Sequence, residues 1–115
     1  MSPPKDVQWL GSSREALRAL PGQACQRLGF ALWRVQEGRV PHDWKPMPAI
    51  GPGVIELRAN VNGAYRLILV AKWPEAIYVL HVFQKKSRRT LNLDIELARR
   101  RYANVRRSRD GEEGA

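Results

Sequence analysis

The sequence predicts an α+β domain in which an antiparallel sheet is packed by a helical hairpin and a C-terminal helix, in the order β-α-α-β-β-β-α. Two observations carry this. Three runs rich in β-branched and aromatic residues follow one another between positions 54 and 83, the first two joined by Asn62-Gly63, a strong hairpin signal. On either side of them, apolar residues recur at helical spacing, at Ala24, Leu28, Ala31 and Val35 and again at Leu91, Ile95, Ala98, Tyr102 and Val105.

Taken in order, Val7 to Leu10 is a short β-like run. Ser12 and Glu15 have capping-box spacing for a short helix through about Leu20. Pro21 suits the first turn of a second helix, whose apolar stripe is widened by Cys25 and Leu32 and which Gly38 is placed to stop. Residues 39–53 hold four prolines and two glycines, the composition of an irregular loop. The strands expected next are 54–59, 64–71 and 77–83, with Trp73-Pro74-Glu75 turning the second pair. Thr90 or Asn92 can cap the last helix, in which Asp94 and Glu96 lie early and the arginines late, as the helix dipole favours. Residues 1–107 read as one domain and 108–115 as a disordered tail.

Composition narrows the class. With 115 residues, 43% apolar and 27% charged, the chain is long enough for one modest core and too apolar to stay unfolded. Its one cysteine excludes an internal disulfide and a multi-cysteine zinc site. Unbroken apolar runs are no longer than the five residues Leu67 to Ala71, so no membrane span is expected. The opening MSPPKDVQWLGSS lacks the apolar core of a secretory signal, and the expected setting is the cytoplasm. The net charge is +9, of which residues 85–109 carry +8 from ten basic and two acidic side chains. Such a concentration suits a phosphate-bearing or acidic partner, although a solvated helix face has the same composition.

Phosphate loops, Gly-x-Ser-x-Gly elbows and His-x-x-x-His pairs are missing from the sequence. No metal or other cofactor is expected, because His42 and His81 stand far apart with no further ligands to point to. Cys25, on the apolar side of its helix, reads as packing. The basic residues of the meander are more telling. Arg58 ends one strand, Arg66 sits in the next, Lys72 follows it, and Lys85, Lys86, Arg88 and Arg89 follow the third. Adjacent strands can gather these into one phosphate-holding surface, with Tyr65, Trp73 or Tyr78 stacking on bases wherever they face outward. The hairpin register decides the geometry. A two-residue turn at Asn62-Gly63 sends Arg58 and Arg66 to opposite faces, whereas a three-residue turn sets them opposite each other.

VIELRA, AYRLILVA and IYVLHVFQKKSRRTLNLDIELARRRYANV together resemble the RelE/ParE superfamily of bacterial toxins, in its HigB-like, phage-associated branch. The similarity covers roughly residues 7–105. It implies the toxin of a type II toxin–antitoxin pair, a small RNase-like fold that cleaves mRNA on the ribosome, with a helix-turn-helix antitoxin encoded beside it. Arg66 matches the arginine such nucleases direct at the scissile phosphate, Lys85 and Lys86 match the basic pair after the third strand, and Arg58 matches the arginine ending the preceding strand. Two departures stand out. RelE-like enzymes place lysine near the end of the first meander strand, where this chain has Val54 and Glu56, and their late tyrosine has no match near Leu93.

On this reading Arg66 and Lys86 stabilise the transition state, while Arg58 and Lys85 position the backbone. Glu56 and His81 are the candidate general bases. Lys72, Arg88, Arg89, Arg99, Arg100 and Arg101 add RNA affinity. Two other readings fit the same fold, a ParE-like inhibitor of DNA gyrase without nuclease activity and a non-toxic RNA-binding relative.

Overall fold

The structure, a computed structural model, describes residues 3–114. Strand β1 (Asp6–Trp9) leads into helices α1 (Ser13–Arg18) and α2 (Gly22–Gln36). Strands β2 (Trp44–Pro46), β3 (Val54–Asn60), β4 (Ala64–Val70) and β5 (Ala76–Lys85) follow, and helix α3 (Arg88–Gly114) closes the chain. The five strands form one sheet in the order β1-β5-β4-β3-β2. The meander is antiparallel as expected, while β1 joins the outer side of β5 in parallel.

Strand alternation sorts the core into two layers. Leu57, Leu67, Leu69, Ile77 and Val79 point to one face and pack with Leu17 of α1 and Ala24, Leu28 and Leu32 of α2. Val54, Ile68, Val70, Leu80 and Phe83 point to the other and pack with Ala98, Tyr102 and Val105 of α3. The sheet is therefore covered on both sides. Cys25 packs at the edge of the first layer, the structural place expected for it.

Four local features differ from the sequence reading. Ser12 makes no side-chain cap, because the chain instead buries Ser13, whose hydroxyl donates to the Val79 carbonyl at 3.3 Å. The loop 39–53 contains a strand, β2. The exposed edge of β3 needs backbone partners, and β2 with its flanks supplies them through Met47 N–H to Val54 O (2.8 Å) and Arg58 N–H to Asp43 O (3.1 Å). Helix α3 begins before Thr90. Ser87 Oγ accepts from the Thr90 N–H and Thr90 Oγ1 accepts from the Ser87 N–H, at 3.2 and 3.1 Å, a reciprocal cap that draws Arg88 and Arg89 into the first turn. At the other end, the backbone of 108–114, read as tail, continues the helix. Gly38 does stop α2. It takes φ +77°, and the next N–H, from Arg39, returns to Arg34 O at 2.8 Å.

Candidate phosphate-binding site

The hairpin between β3 and β4 adopts the three-residue turn. Asn60 pairs with Ala64, Asn62 takes the left-handed φ of +52°, and Arg58 stands directly opposite Arg66. Both face the α3 side of the sheet, in the row that continues to Phe83 on β5; one row outward, Asn60 and Ala64 continue to Lys85.

Two guanidiniums set side by side repel unless an anion lies between them. Glu56, two residues before Arg58 on the same face, supplies one. Its Oε1 is 3.4 Å from Arg66 Nε and 3.8 Å from Arg58 Nε. Arg66 is 4% exposed, with its Nη1 donating to the Tyr65 carbonyl (3.0 Å) and to Asn60 Oδ1 (3.4 Å). Burial pulls its pKa below the ordinary arginine value, Glu56 works against that, and Arg58 adds to it. It stays charged all the same. Arg58 is the outer member, with a side chain one-third exposed and a buried Nε that has no hydrogen-bond partner. The arginine expected at the scissile phosphate is thus the shielded one of the pair, and the guanidinium that solvent reaches is Arg58.

Lys85 ends β5 on this face, Lys86 and Ser87 lead into α3, and Arg88 and Arg89 open it; all are exposed. Arginines in a first helical turn oppose the dipole by about 0.3–1 kcal/mol each, a cost that a bound polyanion reverses. Lys72 is not part of this group. It lies at the opposite end of the sheet, donating to Tyr102 Oη (3.2 Å) and sitting 4.8 Å from the Trp73 ring centre. The three arginines of α3 separate as well. Arg99 donates twice to the Ala49 carbonyl (3.1 and 2.9 Å) and Arg101 to the Leu80 carbonyl (2.8 Å), so both anchor the helix, while Arg100 is exposed.

His81 reaches the α3 face because β5 carries a bulge. Ile68 pairs with His81 but Leu69 with Val79, which turns both Leu80 and His81 toward α3. His81 Nε2 lies 2.7 Å from Asp94 Oδ1, and the imidazole stacks on Phe83 at 5.0 Å. Burial lowers its pKa below the histidine norm, although the Asp94 hydrogen bond pulls the other way. Of the candidate stacking rings, Tyr65 is buried in the first core layer, and Trp73 and Tyr78 pack edge to face at 5.7 Å within the second. Sequence reasoning missed Asn60 and Asp94, which orient Arg66 and His81. Asn60 is recognisable once the three-residue turn is known. No spacing rule links Asp94 to His81 across 13 residues. Among the described residues no group of three or more His, Cys, Asp or Glu side chains could hold a metal ion.

A mixed five-stranded sheet carrying a helical pair on one side and a C-terminal helix on the other, with opposed arginines beside the central hairpin, defines a RelE-like α+β protein. A protein-family model described as phage-derived protein Gp49-like (DUF891) matches residues 15–103, and the chain belongs to that family, one of the RelE/HigB-like toxin families. It is therefore a protein of the toxin–antitoxin kind. None of the curated proteins matches the chain. No described helix is long and apolar enough to cross a membrane.

Proposed function

We propose that the protein is a HigB-like toxin of the cytoplasm that cleaves mRNA on the ribosome and is held inactive by a helix-turn-helix antitoxin encoded beside it. The observation that carries this reading is the Arg58–Arg66 pair, in which the exposed guanidinium has a buried Nε without a hydrogen-bond partner. Arg58 takes the phosphate, and Arg66, one strand behind and steadied by Glu56, adds positive charge from a shielded position where it is little screened. Lys85 and Lys86 hold the flanking backbone, and the basic face of α3, Arg100 foremost, meets ribosomal RNA.

The reaction is internal transesterification. The ribose 2′-oxygen loses its proton to a base and bonds to the adjacent phosphorus. The P–O5′ bond breaks, and the 5′-oxygen takes up a proton. Glu56 is committed to two guanidiniums, so the base is His81, kept neutral by burial and oriented by Asp94 as general-base histidines commonly are. No metal takes part in this scheme.

Primer extension on cellular mRNA after induction is the test. The wild-type chain should yield discrete cuts within translated frames. Arg58→Ala, which changes a partly exposed side chain, should lower single-turnover cleavage by about a hundredfold or more. DNA double-strand breaks with intact mRNA would replace this reading by gyrase inhibition.

A further inference from the structure

A cavity of about 510 Å³ opens between α2 and the edge of β3, just before the start of β2. Its walls include Arg27 and Phe30 of α2, His42 and Asp43 of the loop before β2, and Arg58 and Asn60 of β3. We propose that it receives one nucleotide of the single-stranded RNA whose phosphate Arg58 holds, and that it sets which base lies beside the cut. The proposal rests on the nuclease reading above and adds a specificity site to it.

Four observations converge on this occupant. The cavity lies on the α2 side of the β3 edge and meets the arginine pair through Arg58, whose side chain faces the other side of the sheet. Arg58 lines it, and Asn60, which also lines it, accepts from Arg66 through Oδ1 (3.4 Å) and from Arg27 Nη1 through its carbonyl (3.5 Å). The chemistry is that of base recognition: Phe30 is 51% exposed on α2, a flat apolar surface left in water beside polar groups that can read a base edge. His42 and Asp43 are exposed, and between them offer a donor and acceptors. The charge is right, since two arginines and one aspartate line the cavity and leave it net positive. The size is right as well. The volume falls within the usual 300–1,000 Å³ of small-molecule sites, with apolar walls and a few convergent polar groups.

The geometry also explains why the loop before β2 is built as it is. Asp43 O accepts from the Arg58 N–H at 3.1 Å, which fixes His42 and Asp43 against the strand that carries the phosphate-binding arginine. Base-reading groups and phosphate-binding group are then separated by one backbone hydrogen bond rather than a flexible linker.

Two measurements on the full chain test the proposal. The first is an amide NMR titration with each of the four 5′-nucleoside monophosphates and, separately, with inorganic phosphate. At least one nucleotide should shift the Phe30, Ala31, Ala59 and Asn60 resonances in a saturable way, phosphate alone should leave Phe30 and Ala31 unmoved, and Phe30→Ala should weaken the nucleotide roughly tenfold. Nucleotides that reproduce only the phosphate response overturn it, as does burial of these residues by the antitoxin in a chain that takes no nucleotide. The second is mapping of mRNA cuts, where Phe30→Ala should alter the base preference beside the cut; an identical distribution of sites overturns it. His81→Gln keeps the two readings apart, because it removes the proposed base and should slow cleavage while leaving nucleotide binding in the cavity, which His81 does not line, intact. A chain that binds nucleotide here but cuts no mRNA sinks the nuclease reading and upholds the pocket. One that cuts normally with no nucleotide bound does the reverse.

Discussion

Arg58 of β3 and Arg66 of β4 lie directly opposite one another on the α3 side of the sheet, with Glu56 ion-paired to both. Strand neighbours of like charge weaken a sheet, and this pair is kept in spite of that. Its inner half is shielded and fully engaged; its outer half presents a guanidinium to the surface.

Removal of the carboxylate should expose that cost. Glu56→Gln leaves Arg66 buried without its counter-charge, and stability should fall by about 3 kcal/mol, the usual scale for breaking a buried pair. Phosphate or sulfate should restore part of the loss by taking the place of the carboxylate. Urea unfolding with and without phosphate makes the comparison, and an unchanged midpoint would show that Glu56 does not hold the arginines together.

His81 should make stability depend on pH. The unfolded chain protonates this imidazole near 6.5, whereas burial lowers the folded value. Between the two, the unfolded state binds more protons, so stability rises with pH there. The contribution of His81 is therefore complete above about pH 6.5 and is lost as pH falls through the lowered folded value. Urea midpoints for the wild type and His81→Gln should diverge below pH 6.5, with the variant the flatter of the two. Parallel curves would mean that Asp94 compensates burial in full.

The arginines of α3 should behave as two kinds of residue. Arg101→Ala removes a charged donor from the Leu80 carbonyl at the β5 bulge and should cost about 1.5–3 kcal/mol of stability. Arg100→Ala should leave the unfolding midpoint in place and instead weaken RNA association, with a shallower salt dependence. Thermal unfolding and salt-titrated ribosome binding separate the two, and equal effects on both properties would refute the distinction.

Ser87→Ala should fray the start of α3. The lost cap is worth about 1 kcal/mol, and its loss should release Arg88 and Arg89 from the first turn. Faster amide exchange over residues 88–91, with exchange in the sheet unaltered, is the expected signature. Uniform change across the whole chain would instead place the cap within the global folding unit.

Much of this molecule is legible in one dimension. The meander follows from runs such as AYRLILV and IYVLHVF, and α2 from the spacing of Ala24, Leu28 and Leu32, because apolar periodicity reports directly which face of an element is buried. The basic residues of the site were visible as charged side chains interrupting or following apolar strands, although the burial of Arg66 was not. What the sequence could not decide was pairing. Arg58 faces Arg66 only because the turn uses three residues instead of two, a choice of one residue that inverts every side chain on a strand. His81 meets Asp94 only because a bulge turns it toward α3, and β2 exists only because the edge of β3 needs a backbone partner. Burial is likewise a property of the packed sheet: Arg66 lies on β4, flanked by β3 and β5, whereas Arg58 lies on β3 just beyond the residues that β2 pairs. Periodicity is a local quantity that a chain carries in its residue order, whereas register, bulges and shielding arise from contacts between segments distant in that order, and only the folded structure selects among them.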